Sequence, residues 1–542
     1  MLRNLQIRSH TLILLLAAYF AFILNIPFYK ETWKVLLHLE QVKNGFIVSI
    51  PVFVFSVLTF IFSLFMVKGL SKIIFTVLII TSVLVSYAGW TYGTVFDYGM
   101  IQNTMQTSSS EASSYLNSNF VITFLFFACI PIALLLKTRI IYKVWWKEIL
   151  SHAGLMLCAI AALGAIASMY YQDYASVGRN NKCLQKYIVP YQYVWSSYSY
   201  TKDTYFSKPI PYEQKGLDAR YVPSATSQKP KLMVMVLGET ARTMNYSQNG
   251  YSRETNPYTK DENLYSFRHV ATCGTATAVS VPCMFSFMNR VDYNGALARK
   301  QDNAMDVLQR AGFNVQWIDN DDGCKGVCKN VPTKDINVKI QSPLCDGKFC
   351  FDAVMLDDLK KQISQANQRN TIITLHLIGS HGPTYFRRYP DAQKKYMPDC
   401  PRSDIQNCTH EELVNSYDNT IVYTDFILKQ VIDLLKTQEQ QYETSMLYMS
   451  DHGESLGESG MYLHGAPYAI APKEQTHVPA LLWLSPEYVA GESIDTNCLS
   501  NEAENTEISH DFLAHTLLGM NDVKTSIHQP KLDFISTCKK IS

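Results

Sequence analysis

Five apolar stretches occupy most of the first third of the chain. They run approximately Thr11–Tyr29, Gly45–Val67, Ile73–Phe96, Leu116–Leu136 and Ile149–Tyr171. Each lacks Asp, Glu, Lys and Arg over about the ~20 residues that a helix needs to cross the hydrocarbon of a bilayer. Helices in the core of a soluble protein rarely stay uncharged for so long. The pattern therefore predicts five membrane-spanning helices.

The basic residues between these stretches predict which side each loop faces. Arg3 and Arg8 precede the first stretch, as in a signal peptide, but no small-residue cleavage site follows, so an uncleaved helix is expected. Further basic residues lie in the loops after the second and fourth stretches: Lys68, Lys72, Lys137, Arg139, Lys143 and Lys147. These loops and the N-terminus are predicted to be cytoplasmic, and the chain after about Tyr171 extracytoplasmic.

Three regions follow from this pattern: a transmembrane domain over 1–171, a linker over 172–229 and a polar domain over 230–542. The linker contains many aromatic residues, including Tyr187, Tyr193, Trp195 and Tyr205. Aromatic rings favour the headgroup zone of a membrane, although the same residues would suit a loop packed on the polar domain. Both alternatives stay open.

After Pro230, short apolar runs alternate with amphipathic helical patterns, which predicts an α/β domain with a mostly parallel sheet. The chain's 542 residues agree with more than one domain, and its mean hydropathy of -0.04 averages an apolar first third with a polar remainder. A formal net charge of +1 argues against a nucleic-acid-binding protein, because such proteins need a surplus of Lys and Arg.

Ten of the thirteen cysteines follow Lys229 and form close pairs in sequence, which indicates disulfides in an oxidising compartment. The pairs are Cys273 with Cys283, Cys324 with Cys328, Cys345 with Cys350, Cys400 with Cys408 and, at longer range, Cys498 with Cys538. A zinc-thiolate site at Cys324 and Cys328 is weakly supported, since no second thiolate pair stands at finger spacing.

Three apolar runs each end in polar residues. Leu232–Leu237 precedes Glu239, Ile372–Ile378 precedes His381, and Ser445–Met449 precedes Asp451 and His452. In open α/β sheets ligands bind beyond the carboxyl ends of the strands. Glu239, Asp451 and His452 offer the oxygen and nitrogen donors that zinc accepts, so they are candidate metal ligands, although turn or helix-capping roles would explain either motif alone.

Small hydroxyl residues before a predicted helix supply a candidate nucleophile. The segment Thr272–Pro282 contains Thr275, Thr277 and Ser280, and a helix N-terminus favours phosphate. A metal bound to one of these hydroxyls would lower its pKa toward neutral pH. The residue types alone do not choose among the three.

Further candidates lie beside glycines. His381 in GSHGP and His464 in YLHGAP are suited to a second zinc or to proton donation to a leaving group, and Lys325 in CKGVC to neutralising a phosphate oxygen. Ordinary loop polarity is the alternative for each.

The motifs GETAR, CGTATAVSVPCMF, GSHGP, SDHGESLGE and YLHGAP occur in an order that closely resembles the bacterial lipid A phosphoethanolamine transferases, including the colistin-resistance enzymes, within the alkaline phosphatase and sulfatase superfamily. The resemblance covers nearly the whole chain, including the five-helix anchor and the cysteine pattern. It implies Thr277 as nucleophile and zinc ligation by Glu239, Thr277, Asp451 and His452. It also implies that His381 and His464 contact the donor or a second zinc, that Lys325 lies near the substrate phosphate, and that Glu454 supports the site.

The implied reaction has two steps. Thr277 takes phosphoethanolamine from phosphatidylethanolamine, and a lipid A phosphate then accepts it, so that the product attracts cationic peptides such as polymyxin less strongly. The expected enzyme is a monomer in the bacterial inner membrane, with its N-terminus cytoplasmic and its catalytic domain periplasmic. It holds one tightly bound Zn²⁺, with room for a second, and its partners are membrane lipids.

Other acceptors stay open: core sugars of lipopolysaccharide, another glycan, or water in a membrane-anchored phosphatase. A sulfatase is disfavoured because Ser280–Met284 lacks the arginine of the C/S-x-P-x-R motif. A non-enzymatic sensor would be expected to have lost metal or nucleophile residues, and none is missing here.

Overall fold

The computed structural model describes residues 6–37, 43–107, 109–181, 183–206, 210–321 and 323–540. Arg3, used above for orientation, lies outside them. Two compact units are present. One contains the chain up to Ile101 together with Leu116–Tyr200, and the other contains Gln102–Tyr115 and the chain from Thr201. The unit boundaries therefore differ from the predicted divisions at 171 and 229.

The first unit is helical. Its elements, some of which extend past the unit boundaries, are β1 (Gln6–Arg8), α1 (Ser9–Tyr19), α2 (Ile26–Leu37), α3 (Asn44–Phe65), α4 (Ser71–Thr91), α5 (Tyr98–Gln106), α7 (Ser118–Phe124), α8 (Ile130–Lys137), β2 (Arg139–Ile141), α9 (Trp145–Asn180) and α10 (Tyr191–Thr201). The short helix α6 (Ser109–Ser114) belongs to the second unit. Within the part of the chain that the structure describes, four helical spans are long and apolar enough to cross a membrane: Asn44–Phe65, Ser71–Thr91, Ser118–Lys137 and Trp145–Tyr174.

The first predicted span is not a single straight helix. Ser9–Leu24 and Ile26–Leu37 meet at an angle of 52°, and they supply a fifth span only if the bent pair counts as one. Pro27 follows the break, where its ring lacks an N–H and opposes continuation of the helix. The Asn25 side-chain amide donates to the carbonyls of Phe20, at 2.9 Å, and Val189, at 2.8 Å, which stabilises the bend.

The segment after α9 packs in part on the membrane helices. Tyr187 and Tyr193 are buried in the core of the helical unit. The Tyr193 hydroxyl lies 2.8 Å from Thr81 Oγ1 and 2.9 Å from Ser82 Oγ in α4. These tyrosines of the predicted linker therefore pack on the membrane helices.

An eight-stranded sheet forms the centre of the second unit. Its strands are β4 (Lys231–Gly238), β5 (Leu264–Ala271), β6 (Asn314–Asp319), β7 (Thr333–Asp335), β8 (Thr371–His376), β9 (Glu443–Ser450), β12 (His477–Leu484) and β13 (Glu507–Ser509). Their order is β13-β5-β12-β9-β4-β8-β6-β7, and only β12 runs antiparallel to its neighbours. Two-stranded pairs join β3 (Arg220–Tyr221) to β14 (Val523–Lys524) and β10 (Ser455–Leu456) to β11 (Tyr462–Leu463). The prediction of a mostly parallel sheet is confirmed.

Helices surround this sheet. They are α11 (Thr277–Met284), α12 (Gly295–Ala298), α13 (Ala304–Arg310), α14 (Met355–Ser364), α15 (His410–Lys436), α16 (Lys473–Thr476), α17 (Pro486–Gly491), α18 (Thr496–Asn505) and α19 (Leu513–Met520). β4 and β9 are buried along their whole length, so both faces of the sheet are covered at these strands. This explains why these strands read as continuous apolar runs.

Candidate active site

The three apolar runs chosen from the sequence are neighbouring strands. β4 lies between β9 and β8, with Gly238 paired to Ser450 and Leu237 paired to His376. The three strands are parallel, so their carboxyl ends meet at one edge of the sheet. Glu239 and Asp451 follow directly after β4 and β9.

A buried cluster forms at this edge. Glu239, Asp451 and His452 are each 0% exposed, and their ligand atoms lie within 4.8 Å of one another. His452 Nε2 is 3.4 Å from Glu239 Oε1 and 3.3 Å from Asp451 Oδ2. Thr277 Oγ1 is 3.2 Å from both Glu239 oxygens and 3.3 Å from His452 Nε2. All four predicted zinc ligands therefore face one another.

The hydrogen bonds of this cluster fit a metal ion. His452 Nδ1 lies 2.9 Å from the Gly453 carbonyl, which fixes the proton on Nδ1 and the lone pair on Nε2 in the neutral ring. Asp451 Oδ1 accepts from the backbone N–H groups of Thr240, at 3.1 Å, and His452, at 2.7 Å. Asp451 Oδ2 is buried without a hydrogen-bond partner, which is rare for a carboxylate oxygen. Two carboxylates, an imidazole and a hydroxyl match the donors that zinc accepts.

The charges in the cluster perturb one another strongly. Burial and the neighbouring Glu239 charge raise the pKa of Asp451 well above its usual value. Burial also opposes ionisation of Glu239, but the charge and hydrogen bond of His452 outweigh it and hold the Glu239 pKa well below the usual range. Burial disfavours the His452 cation, yet Asp451 and Glu239 raise its pKa to about 10. A strongly negative buried site of this kind favours a cation.

The three candidate hydroxyls have different surroundings. Thr277 begins α11, so the predicted helix N-terminus lies at the cluster. Thr275 Oγ1 donates to the Ala466 carbonyl at 2.5 Å, and Ser280 Oγ is buried without a hydrogen-bond partner. Of the three hydroxyls, Thr277 is the one placed against Glu239 and His452.

The two further histidines border the same cluster. The His464 ring centroid lies 4.4 Å from that of His452 and 5.4 Å from that of His381. His464 Nδ1 is 2.9 Å from Glu454 Oε2, and the other Glu454 oxygen accepts from the Tyr385 hydroxyl. Glu454, 0% exposed, thereby fixes the orientation of the His464 ring.

The remaining predicted residues lie in disulfide-bonded segments. The ten cysteines form the five predicted pairs. Lys325 lies between Cys324 and Cys328 and has a positive φ of 51° in a half-buried loop. A role for Lys325 at a substrate phosphate stays a prediction.

Sequence reasoning missed three residues at the site. Glu111 Oε1 lies 3.4 Å from His381 Nε2. Glu111 belongs to no recognisable motif and lies between two predicted membrane segments, so the sequence did not indicate it. Thr240 adopts φ of 60°, which is unfavourable for a β-branched residue, and donates through Oγ1 to Glu239 Oε1 at 2.6 Å. His510 accepts from the Cys273 N–H at Nδ1 and lies 3.0 Å from the Ser450 carbonyl through Nε2. Thr240 was visible within the GETAR motif, whereas the other two have no local signal.

Comparison with known proteins identifies the family. The profile described as phosphoethanolamine transferase EptA/EptB matches residues 54–205, and the sulfatase profile matches residues 231–523. Phosphoethanolamine transferase EptA of Escherichia coli strain K12 is 40% identical over 98% of this chain and 97% of that protein. The chain belongs to the EptA family of phosphoethanolamine transferases.

Two further comparisons extend along most of the chain. Phosphatidylethanolamine transferase Mcr-1 of Escherichia coli is 34% identical over 91% of each chain. The structure of the integral membrane protein lipooligosaccharide phosphoethanolamine transferase A from Neisseria meningitidis is similar with a TM-score of 0.94 and 36% identity, covering 99% of this chain and 100% of that one. The resemblance inferred from the motifs is confirmed, and the chain is a membrane protein with a sulfatase-like α/β domain.

Proposed function

We propose that this protein transfers phosphoethanolamine from phosphatidylethanolamine to a lipid A phosphate through Thr277. The observation that carries the proposal is the position of Thr277 Oγ1, which lies 3.2–3.3 Å from Glu239 and His452 at the start of α11. The names of EptA and Mcr-1 support the donor group and its lipid source. A relative named Kdo(2)-lipid A phosphoethanolamine 7''-transferase, 26% identical, supports an acceptor of the lipopolysaccharide class.

Glu239, Thr277, Asp451 and His452 would hold the metal, for which zinc fits the donors best. Bound zinc would lower the pKa of the Thr277 hydroxyl. Thr277 loses its proton to water, and its oxygen forms a bond to the donor phosphorus. The bond from phosphorus to the diacylglycerol oxygen breaks, and that oxygen takes a proton from His464 Nε2, because Glu454 holds Nδ1 of the same ring.

The second step repeats the displacement. An oxygen of the lipid A phosphate attacks the phosphorus bound to Thr277, and the bond to Thr277 Oγ1 breaks. Thr277 Oγ1 and His464 Nε2 then regain their protons from water. The N-terminus of α11, where Thr277 lies, would offer backbone N–H groups to the charged phosphoryl oxygens. Glu111, beside His381, is an anionic group suited to the ammonium of ethanolamine.

A membrane anchor suits this reaction, because both substrates are lipids and confinement to one surface raises their effective concentration. We place the enzyme in the bacterial inner membrane with the catalytic domain in the periplasm, which is where five disulfides would form. Adding ethanolamine to lipid A places a cation on an anionic surface, so the expected phenotype is resistance to polymyxin and other cationic peptides.

Mass spectrometry of the full-length protein incubated with phosphatidylethanolamine tests the nucleophile. The wild type and Thr277→Ser, which keeps a hydroxyl, should gain phosphoethanolamine, and Thr277→Ala should not. An adduct that persists in Thr277→Ala would refute the assignment. Lipid A analysed from cells with and without the gene tests the acceptor. Modification of core sugars instead would change the acceptor, and release of free phosphoethanolamine would indicate a phosphatase.

A further inference from the structure

A second group of buried donor atoms lies beside the first. Glu239, Asp321 and His376 each offer one ligand atom, and these three atoms lie within 4.8 Å of one another. His376 ends β8, and Asp321 follows the end of β6, the next strand of the sheet. The side chains of His376 and Asp321 are 0% and 8% exposed. The two groups share Glu239 and are otherwise built from different residues.

The His376 ring is oriented as in a metal ligand. Its Nδ1 lies 2.9 Å from Asp319 Oδ2, and the same carboxylate oxygen accepts from Trp317 Nε1 at 2.8 Å. An acceptor of this kind keeps the proton of a neutral imidazole on Nδ1, so the lone pair is on Nε2. A histidine held by a carboxylate through one nitrogen commonly binds a metal through the other.

The other ring nitrogen has no hydrogen bond. His376 Nε2 is fully buried, makes no hydrogen bond, and lies 3.7 Å from Asp321 Oδ2. A buried polar atom without a hydrogen-bond partner is costly, and His376 lies beside the carboxylates of Asp321 and Glu239. A cation placed among the three atoms would satisfy the lone pair and reduce the repulsion between the carboxylates.

One neighbouring cation already offsets part of this charge. Arg388 is 1% exposed, and its guanidinium interacts electrostatically with Asp321. Its Nε donates to the His381 carbonyl at 2.8 Å, and its Nη1 is buried without a hydrogen-bond partner. Arg388 therefore balances Asp321 without supplying a partner for His376 Nε2.

We propose that Glu239, Asp321 and His376 bind a second divalent cation, with zinc as the best match to one imidazole nitrogen and two carboxylate oxygens. This site rests on the proposed function only in sharing Glu239 with the first metal site. It differs from the second site expected at His381 and His464. Among the described residues, those two histidines belong to no group of three such ligand atoms.

Metal content of the full-length protein tests the proposal. The purified protein is stripped with a chelator, incubated with zinc chloride alone, desalted and measured by elemental analysis. The wild type should hold about two zinc ions per chain, and Asp321→Asn and His376→Asn about one. His376→Asn keeps an N–H for Asp319 while removing the Nε2 ligand. The matched control is Asp357→Asn, since the Asp357 side chain is 94% exposed, and it should hold about two.

The outcomes separate the two sites. The wild type could hold one zinc ion that is lost in Asp451→Asn and kept in Asp321→Asn and His376→Asn. That result would overturn the second site and leave the first intact. Absence of zinc from the wild type would overturn both. Diffraction from wild-type crystals at the zinc absorption edge does not depend on any variant folding. A peak among Glu239, Asp321 and His376 supports the proposal. The absence of a peak there, as expected if His376 carries a proton in place of a metal, would overturn it.

Discussion

Asp451→Asn should abolish the first zinc site while leaving the fold intact. Oδ1 of Asp451 accepts the N–H groups of Thr240 and His452, and an asparagine oxygen can accept both. Oδ2 has no hydrogen-bond partner and lies 3.3 Å from His452 Nε2, so the substitution places an NH₂ group, which has no lone pair for a metal, where zinc would be held. The structural hydrogen bonds therefore survive and the ligand is lost.

The expected loss of zinc affinity exceeds about 100-fold, or about 2.8 kcal/mol. Removing a group that only hydrogen-bonds to a metal ligand lowers metal affinity by about 10–100-fold. Asp451 would be a ligand itself, so the loss should be larger. The assay is a titration of the metal-stripped protein with zinc in the presence of a competing chelator. Asp391→Asn, at a side chain that is 100% exposed, is the control. An unchanged zinc affinity in Asp451→Asn with an unchanged Tm would refute this site.

Three further results are expected. Lys231→Met should lower the free energy of unfolding by about 3–5 kcal/mol, because Lys231 is 1% exposed and pairs with Glu492 and Asp522. A loss of less than about 1 kcal/mol, measured by denaturant unfolding, would contradict this. Burial lowers the pKa of His510 to about 3, so the unfolded chain takes up a proton below pH 6.5 and stability falls by about 2 kcal/mol from this residue by pH 5. His510→Gln should flatten the dependence of Tm on pH, and an equally steep dependence would show that His510 does not cause it. Gly379→Ala should reduce kcat by about 100-fold with zinc still bound, because Gly379 has a φ of 47° and a Cβ there would lie 2.7 Å from the Glu239 carbonyl oxygen. A kcat equal to that of the wild type would show that the position of Glu239 does not depend on a glycine at 379.

Much of this architecture could be predicted from short-range patterns. Uncharged runs indicated the membrane helices, and continuous apolar runs indicated β4, β8 and β9 because strands covered on both faces carry apolar residues on both sides. The first helix was predicted too simply. Pro27 was visible within its apolar run, but the hydrogen bond from Asn25 to Val189, which stabilises the bend, joins residues far apart in the sequence.

The sequence by itself determined the classes of element, the paired cysteines and the donors Glu239, Asp451 and His452, because each depends on residues close together in the chain. Its motifs also indicated the family, although the residue types alone left Thr275, Thr277 and Ser280 equivalent. Only the tertiary structure placed Thr277 against the proposed metal ligands, Glu111 against His381, and Asp321 and His376 around one side of Glu239. These contacts depend on strand order and on chain segments far apart in sequence, which no local pattern records.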